Sequence, residues 1–266
     1  IGGLAGKCNT ITNGKNDVDI FGTSERVGGL AGYVIGSITN SQNNGNITGK
    51  NQTGGLAGYI GGAITGSNSY GEIIGEKYTG GLVGYFNGSK IDESTNAGVV
   101  SGDDYTGGLT GYSYNSLEIT ASANNVNVTG DNYTGGYIGY ARTTATIRNA
   151  VNNNTITGKA YVGGIVGYGV STTLHYCENY GEINSTATIT ESDVAYSYVG
   201  GLAGYCASIN NGKNTVNITG TGYRVGGLAG YVNGAITNSQ NEGDVSGNNY
   251  TGGLGGYVTG NIVNCN

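Results

Sequence analysis

The sequence predicts an all-β fold, a parallel β-solenoid, on three observations. A six-residue string, Gly-Gly-Leu-x-Gly-Tyr, recurs ten times along the 266 residues. Two columns of Ile, Val or Leu recur in step with it. Around these anchors apolar and polar residues alternate over short runs, as in Asn46-Ile47-Thr48 and Asn217-Ile218-Thr219, and the runs end at Asn-Gly, Ser-Gly or Thr-Gly dipeptides. Alternation with period two means strands, and self-similarity at a fixed short period means stacked repeats.

The first glycine of each string is Gly2, Gly28, Gly54, Gly80, Gly107, Gly135, Gly163, Gly200, Gly226 and Gly252. Successive spacings are 26, 26, 26, 27, 28, 28, 37, 26 and 26 residues. The fifth position is always glycine, and the sixth is tyrosine except at Lys7. One apolar column follows at Ile11, Ile38, Ile64, Ile91, Ile119, Ile147, Leu174, Ile209, Ile236 and Ile262. Another precedes the next string at Ile20, Ile47, Ile73, Val100, Val128, Ile156, Ile183, Ile218 and Val245.

Three short strands and three turns suit one coil of 26 to 28 residues, so about ten coils are expected. Stacking would merge the Leu and Ile columns into one continuous core, each such side chain worth about 1.5–3 kcal/mol. The turn glycines are expected to supply positive φ. A right-handed winding is the fold-level expectation for parallel crossovers. The chain reads as a single repeat domain over 1–266, excised from a longer array. Coil seven carries an insertion over 184–198, where Ala187, Ile189 and Glu191 suggest a small hairpin or extra strand. Cys8 to Ile20 matches Cys206 to Ile218 at an offset of 198 residues, which points to a block duplication.

Composition excludes several classes. The 55 glycines do not fall every third residue and there is no proline, so the chain is not collagen. A hydrophobic fraction of 36 %, regularly placed, is too high for a disordered segment. The formal net charge of -6 argues against a nucleic-acid partner, and no apolar run is long enough for membrane insertion by a helix.

The hexapeptides Gly28-Gly29-Leu30-Ala31-Gly32-Tyr33 and Gly80-Gly81-Leu82-Val83-Gly84-Tyr85, with Ile262-Val263-Asn264-Cys265-Asn266, resemble the GLUG repeat. The resemblance covers the whole chain, with Tyr137 and Ile165 departing at the Leu position and Lys7 at the Tyr position. It implies a bacterial surface or secreted protein, in the company of adhesins and of non-catalytic regions of immunoglobulin-A metallopeptidases. It carries no catalytic residues.

Candidate site residues follow from the columns. Tyr33, Tyr59, Tyr85, Tyr112, Tyr140, Tyr168, Tyr205, Tyr231 and Tyr257 should point outward if Leu30 and its equivalents point inward. A second column, two residues before the string, holds Tyr78, Tyr105, Tyr133, Tyr161, Tyr198 and Tyr250. Exposed ladders of this kind can stack on sugar rings or on proteins, though like rings stacked on like also stabilise a solenoid without any ligand. A turn column reads Lys50, Glu76, Asp103, Asp131, Lys159. Its carboxylates could hold Ca²⁺ or, at one-coil spacing, serve a retaining glycosidase, against a plain solvated turn screened by lysines. Thr39, Thr65 and Thr237 could begin an ice-binding array, but Asp92, Arg148 and His175 interrupt that column. His175 and Cys177 lie two apart on one strand and do not form a nucleophilic pair. The four cysteines are expected as free, small, buried thiols.

The preferred expectation is a non-catalytic adhesin stalk and contact surface for host or microbial glycans or surface proteins, needing no cofactor. End-to-end self-association is compatible with an excised array. The alternative is a polysaccharide-degrading β-helix enzyme built on the stacked carboxylates.

Overall fold

The computed structural model describes residues 1–186 and 197–266. It is an all-β parallel β-solenoid of about nine turns. The hairpin expected around Ala187, Ile189 and Glu191 lies outside the described residues. One coil shows the pattern. Strands run over Arg26–Gly28, Ala31–Val34, Ile38–Thr39, Gln42–Asn43 and Ile47–Thr48, and the next coil repeats them from Gln52–Gly54 onward. Each pairs in parallel with its own copy, as in Tyr33 against Tyr59, Ile38 against Ile64 and Ile47 against Ile73.

Five short paired segments make a typical coil, where the sequence suggested three, and in two coils a pair of them merges into one strand, Ile138–Arg148 and Val166–His175. The extra breaks come from sharp corners. One corner falls at Asn13, Asn40, Glu93, Ala121, Asn149, Tyr176, Asn211, Asn238 and Asn264, all with φ between 45 and 56. Asparagine dominates this column because it tolerates the left-handed region better than other side-chain-bearing residues. The glycines therefore do not serve the role expected of them. Among the described glycines only Gly66 has φ in that region, at 58.

Glycine is needed instead for close approach. A Cβ on Gly81 would overlap the Gly108 carbonyl and the Asn96 side chain, and one on Gly108 would overlap the Gly136 carbonyl and Asn124. The second glycine of most strings thus lets a backbone and a buried amide lie against it, with the Ser69 hydroxyl in place of the amide at Gly55. That amide belongs to a ladder the alternation did not reveal. Asn152 Nδ2 donates to Asn179 Oδ1 (2.7 Å), Asn179 Nδ2 to Asn214 Oδ1 (2.8 Å) and Asn214 Nδ2 to Asn241 Oδ1 (2.8 Å). Each amide also donates to a carbonyl two residues on, Asn179 to Gly181 at 3.0 Å.

This ladder separates two apolar columns, correcting the single core expected above. The larger cluster holds Leu30, Val34, Ile38 and their equivalents through Leu228, Val232 and Ile236. A second runs along the other side of the coil, with Val100, Val128, Ile156, Val162, Ile218 and Val225, continued in the first coils by Ile20, Val27, Ile47 and Ile73. The chain passes from one to the other at the Gly-Gly pair and again at the asparagine, and these two crossings touch. Each coil is pinched at that waist.

Serines finish the corner. Ser41 N donates to Ser67 Oγ and Ser67 N to Ser94 Oγ, while each Oγ donates to the carbonyl two residues back. Cys177 and Cys265 occupy the same column, with Cys177 Sγ on the His175 carbonyl at 3.5 Å. All four cysteines are free. Cys177 and Cys206 are buried as expected, but Cys8 and Cys265 in the outermost coils are only partly so.

Two outcomes test the waist. Asn179→Ala leaves Asn152, Asn214 and the Gly181 carbonyl each short of a buried partner, so a loss of about 1–3 kcal/mol is expected in urea unfolding, with Asn179→Ser milder because Ser69 fills the equivalent place in coil three. Gly81→Ala is expected to destabilise strongly, whereas Gly253→Ala, at the same motif position but with nothing within 4 Å of the added Cβ, should leave the melting temperature unchanged. Equal effects of the two would overturn the close-approach account.

Candidate functional site

The motif strand places its tyrosine by register alone. Val34 turns into the larger core, so Tyr33 one residue before it faces out, and parallel pairing sets every copy on the last. The result is an unbroken stack. Ring centroids lie 4.5 Å apart for Tyr33 and Tyr59, 5.4 Å for Tyr59 and Tyr85, 5.0 Å for Tyr85 and Tyr112, and 5.3 Å for Tyr112 and Tyr140. It continues at 5.1 Å to Tyr168, 4.5 Å to Tyr205, 4.8 Å to Tyr231 and 5.1 Å to Tyr257. Interplanar angles along this column stay between 2 and 27°.

The second column packs beside it. Tyr78, Tyr105, Tyr133 and Tyr161 sit at φ values of 55 to 61, which turns their rings toward the motif column. Within the column rings stack, Tyr105 on Tyr133 at 4.8 Å and 3°. Across columns they meet edge to face, Tyr133 against Tyr140 at 5.4 Å and 82°, and Tyr161 against Tyr168 at 5.1 Å and 81°. Such offset and T-shaped contacts suit the ring quadrupole and are worth about 0.5–1.5 kcal/mol each beyond area.

Three positions of the second column are not tyrosine, and sequence reasoning missed what fills them. Arg26, Gln52 and Arg224 stand at the same offset from the string. The Arg26 guanidinium lies 4.9 Å from the Tyr33 ring and 5.3 Å from Tyr59, and its Nε donates to Gln52 Oε1 at 2.9 Å. Arg224 lies within 4.7 to 5.1 Å of Tyr198, Tyr231 and Tyr257. A cation here replaces a ring face with a cation–π contact. Counting offsets from the first glycine would have found both arginines.

This packing alters what the face can do. Each interior ring has a neighbour on both sides, so its faces are covered. Of the two readings the sequence offered, rings stacked on one another is the arrangement found, and stacking of sugars on the flat rings is not available in the interior of the ladder. Ring edges and phenol hydroxyls are what solvent reaches, and the motif tyrosines from Tyr33 to Tyr231 are half-buried. Burial, with added repulsion from neighbouring phenols, pushes Tyr85, Tyr105 and Tyr168 up to about 12.

The carboxylate column is stacked as the spacing implied. Glu76 N donates to the Lys50 carbonyl, Asp103 N to Glu76, Asp131 N to Asp103 and Lys159 N to Asp131, at 2.7 to 2.8 Å. The side chains do not converge. Lys159 Nζ takes Asp131 Oδ2 at 2.5 Å, while Asp104 Oδ1 accepts from Asn132 Nδ2 at 2.9 Å. Among the described residues no group of three His, Cys, Asp or Glu side chains is placed to hold a metal ion. His175 reaches Asn210 rather than Cys177, which is fully buried. The interrupted threonine column is as read, with Thr65 against Asp92 and Arg148 against His175.

Alkaline titration follows from the raised phenols. A folded phenol at about 12 holds its proton more tightly than an unfolded one near 10, so its stabilising contribution is complete below pH 10 and lost as pH rises toward 12. Tyrosinate absorbance and far-ultraviolet circular dichroism are expected to change together in that window. Ionisation of all tyrosines near pH 10 with the fold intact would sink the account.

The GLUG motif matches residues 23–48 and 221–246. These segments carry Gly28 to Tyr33 and Gly226 to Tyr231, and each contains the arginine that enters the tyrosine column. No curated protein and no solved structure matches the chain. The two matches start 198 residues apart, the same offset as the block duplication. The chain is a β-solenoid that carries the GLUG motif.

Proposed function

We propose that this chain is a non-catalytic, extracellular repeat domain of a bacterial surface or secreted protein, serving as an adhesin stalk with a contact surface for glycans or surface proteins. The observation that carries this reading is the tyrosine face. It is the same in coil after coil, from Tyr33 to Tyr257, and a surface of that kind suits many weak, equivalent contacts better than one reacting centre. The GLUG motif supports the setting, since the resemblance implies surface and secreted proteins. No helix among the described residues is long and apolar enough to cross a membrane.

The turn carboxylates support the enzyme alternative less well. Glu76 and Asp103 are exposed and Asp131 is tied to Lys159, so nothing on that edge encloses a substrate. The low density of charge, 11 % of residues, suits a surface that meets partners through hydroxyl and amide groups.

Two measurements check this. On an array of host and microbial glycans with mucin, saturable binding without product is expected, unchanged by chelating Ca²⁺. Cleavage that disappears in Asp103→Asn would move the function to the carboxylate column. Tyr112→Phe, Tyr140→Phe and Tyr168→Phe keep every ring contact and remove only hydroxyls, so each is expected to weaken binding about three- to tenfold, the worth of one hydrogen bond, with no change in melting temperature.

A further inference from the structure

The covered ring faces and the regular step of the ladder narrow the ligand. We infer that the tyrosine face binds an extended, neutral β-1,4-linked polysaccharide lying parallel to the solenoid axis, one sugar to each coil. This deepens the proposed contact function and rests on it.

Three observations lead there. The first is the step. Tyr33, Tyr59, Tyr85, Tyr112, Tyr140, Tyr168, Tyr205, Tyr231 and Tyr257 are direct partners in adjacent coils with no slip of register. Their rings advance by 4.5 to 5.4 Å, the spacing of strands in a sheet. A β-1,4 linkage between equatorial oxygens extends its chain with nearly the same advance per sugar, so ligand and ladder stay in phase over many units. An α-1,4-linked glucan coils and loses phase within a few.

The second is what the ladder presents. With faces stacked, each motif tyrosine from Tyr33 on offers a ring edge and a phenol hydroxyl, a group that both donates and accepts. Sugars carry hydroxyls of the same dual kind along both edges of an extended chain. Beside the second tyrosine column, the carboxylates of Glu76 and Asp103, one coil apart on the exposed turn, add acceptors.

The third is charge. Those carboxylates and a net charge of -6 oppose uronic or sialylated chains and leave neutral ones unaffected. Five cations, Lys7, Arg26, Lys77, Arg142 and Arg224, already lie over tyrosine rings within the chain.

Titration calorimetry with cello-oligosaccharides and chito-oligosaccharides from dimer to hexamer, beside malto-oligosaccharides of equal length, tests the inference. Affinity is expected to rise about threefold or more with each added sugar in one or both β-1,4 series, and the malto series should not bind. Growth in the cello series alone would assign a glucose chain, and in the chito series alone an N-acetylated one. Tyr140→Phe should weaken the hexamer more than the dimer, because a dimer can settle on other coils. Affinity that stops growing after two sugars, or equal binding of the malto series, would overturn the axial arrangement. Binding of other array glycans with both β-1,4 series silent would overturn it too, leaving the contact function standing. Silence of the entire array would remove both the axial arrangement and the glycan part of the contact function.

Discussion

Among the described residues, most strand positions lie beside the same repeat position in the next coil, about one strand spacing away. That constraint decides which residues can occupy a column. A carboxyl above a carboxyl repels. An asparagine above an asparagine can donate through Nδ2 and accept through Oδ1, so a buried amide column satisfies itself, as from Asn152 to Asn241. Serine at the corner does the same with one hydroxyl and one N–H, and tyrosine does it by offset stacking. The low charge of the chain is the negative of this rule. Where carboxylates do stack, at Asp103 and Asp131, they are on an exposed turn with Lys159 closing the run.

The glycines answer a second demand of the same geometry. The coil is drawn in at its middle until the Gly-Gly pair of one side meets the asparagine of the other. Only a residue without Cβ leaves room there for both an amide and the neighbouring carbonyl. The first glycine of the pair serves in parallel, since a Cβ on Gly28 would overlap the backbone of Ala31 and Ala57. The hexapeptide is therefore a packing signature: glycines for the waist, Leu30 for the core beyond it, Tyr33 for the outer face.

The apolar columns were legible because period and hydrophobicity coincide. Ile38, Ile64, Ile91 and Ile47, Ile73, Val100 are all buried where their spacing put them. Their division into two clusters was not legible, because alternation shows that a side chain points inward and not which neighbours it meets. Asn43 and Asn96 were hidden for a related reason. Asparagine is abundant in the turns of this chain, so a buried column at constant offset does not stand out by residue type. The tyrosine columns were found by spacing, which left open both free ring faces and rings stacked on one another; pairing distance, not sequence, decides that they touch. Arg26 and Arg224 escaped notice since the column was followed by identity rather than by position.

The two-lobed cross-section also bears on mechanics. With an apolar lobe on each side of a narrow polar web, a coil resembles a beam whose mass lies away from its centre line. Bending in the plane that contains both lobes must stretch one and compress the other, against backbone hydrogen bonds in each. Bending out of that plane strains only the thickness of the coil. A rod built this way is a strip, stiff in one plane and compliant in the other, and its aromatic face keeps a fixed orientation to the plane in which it yields.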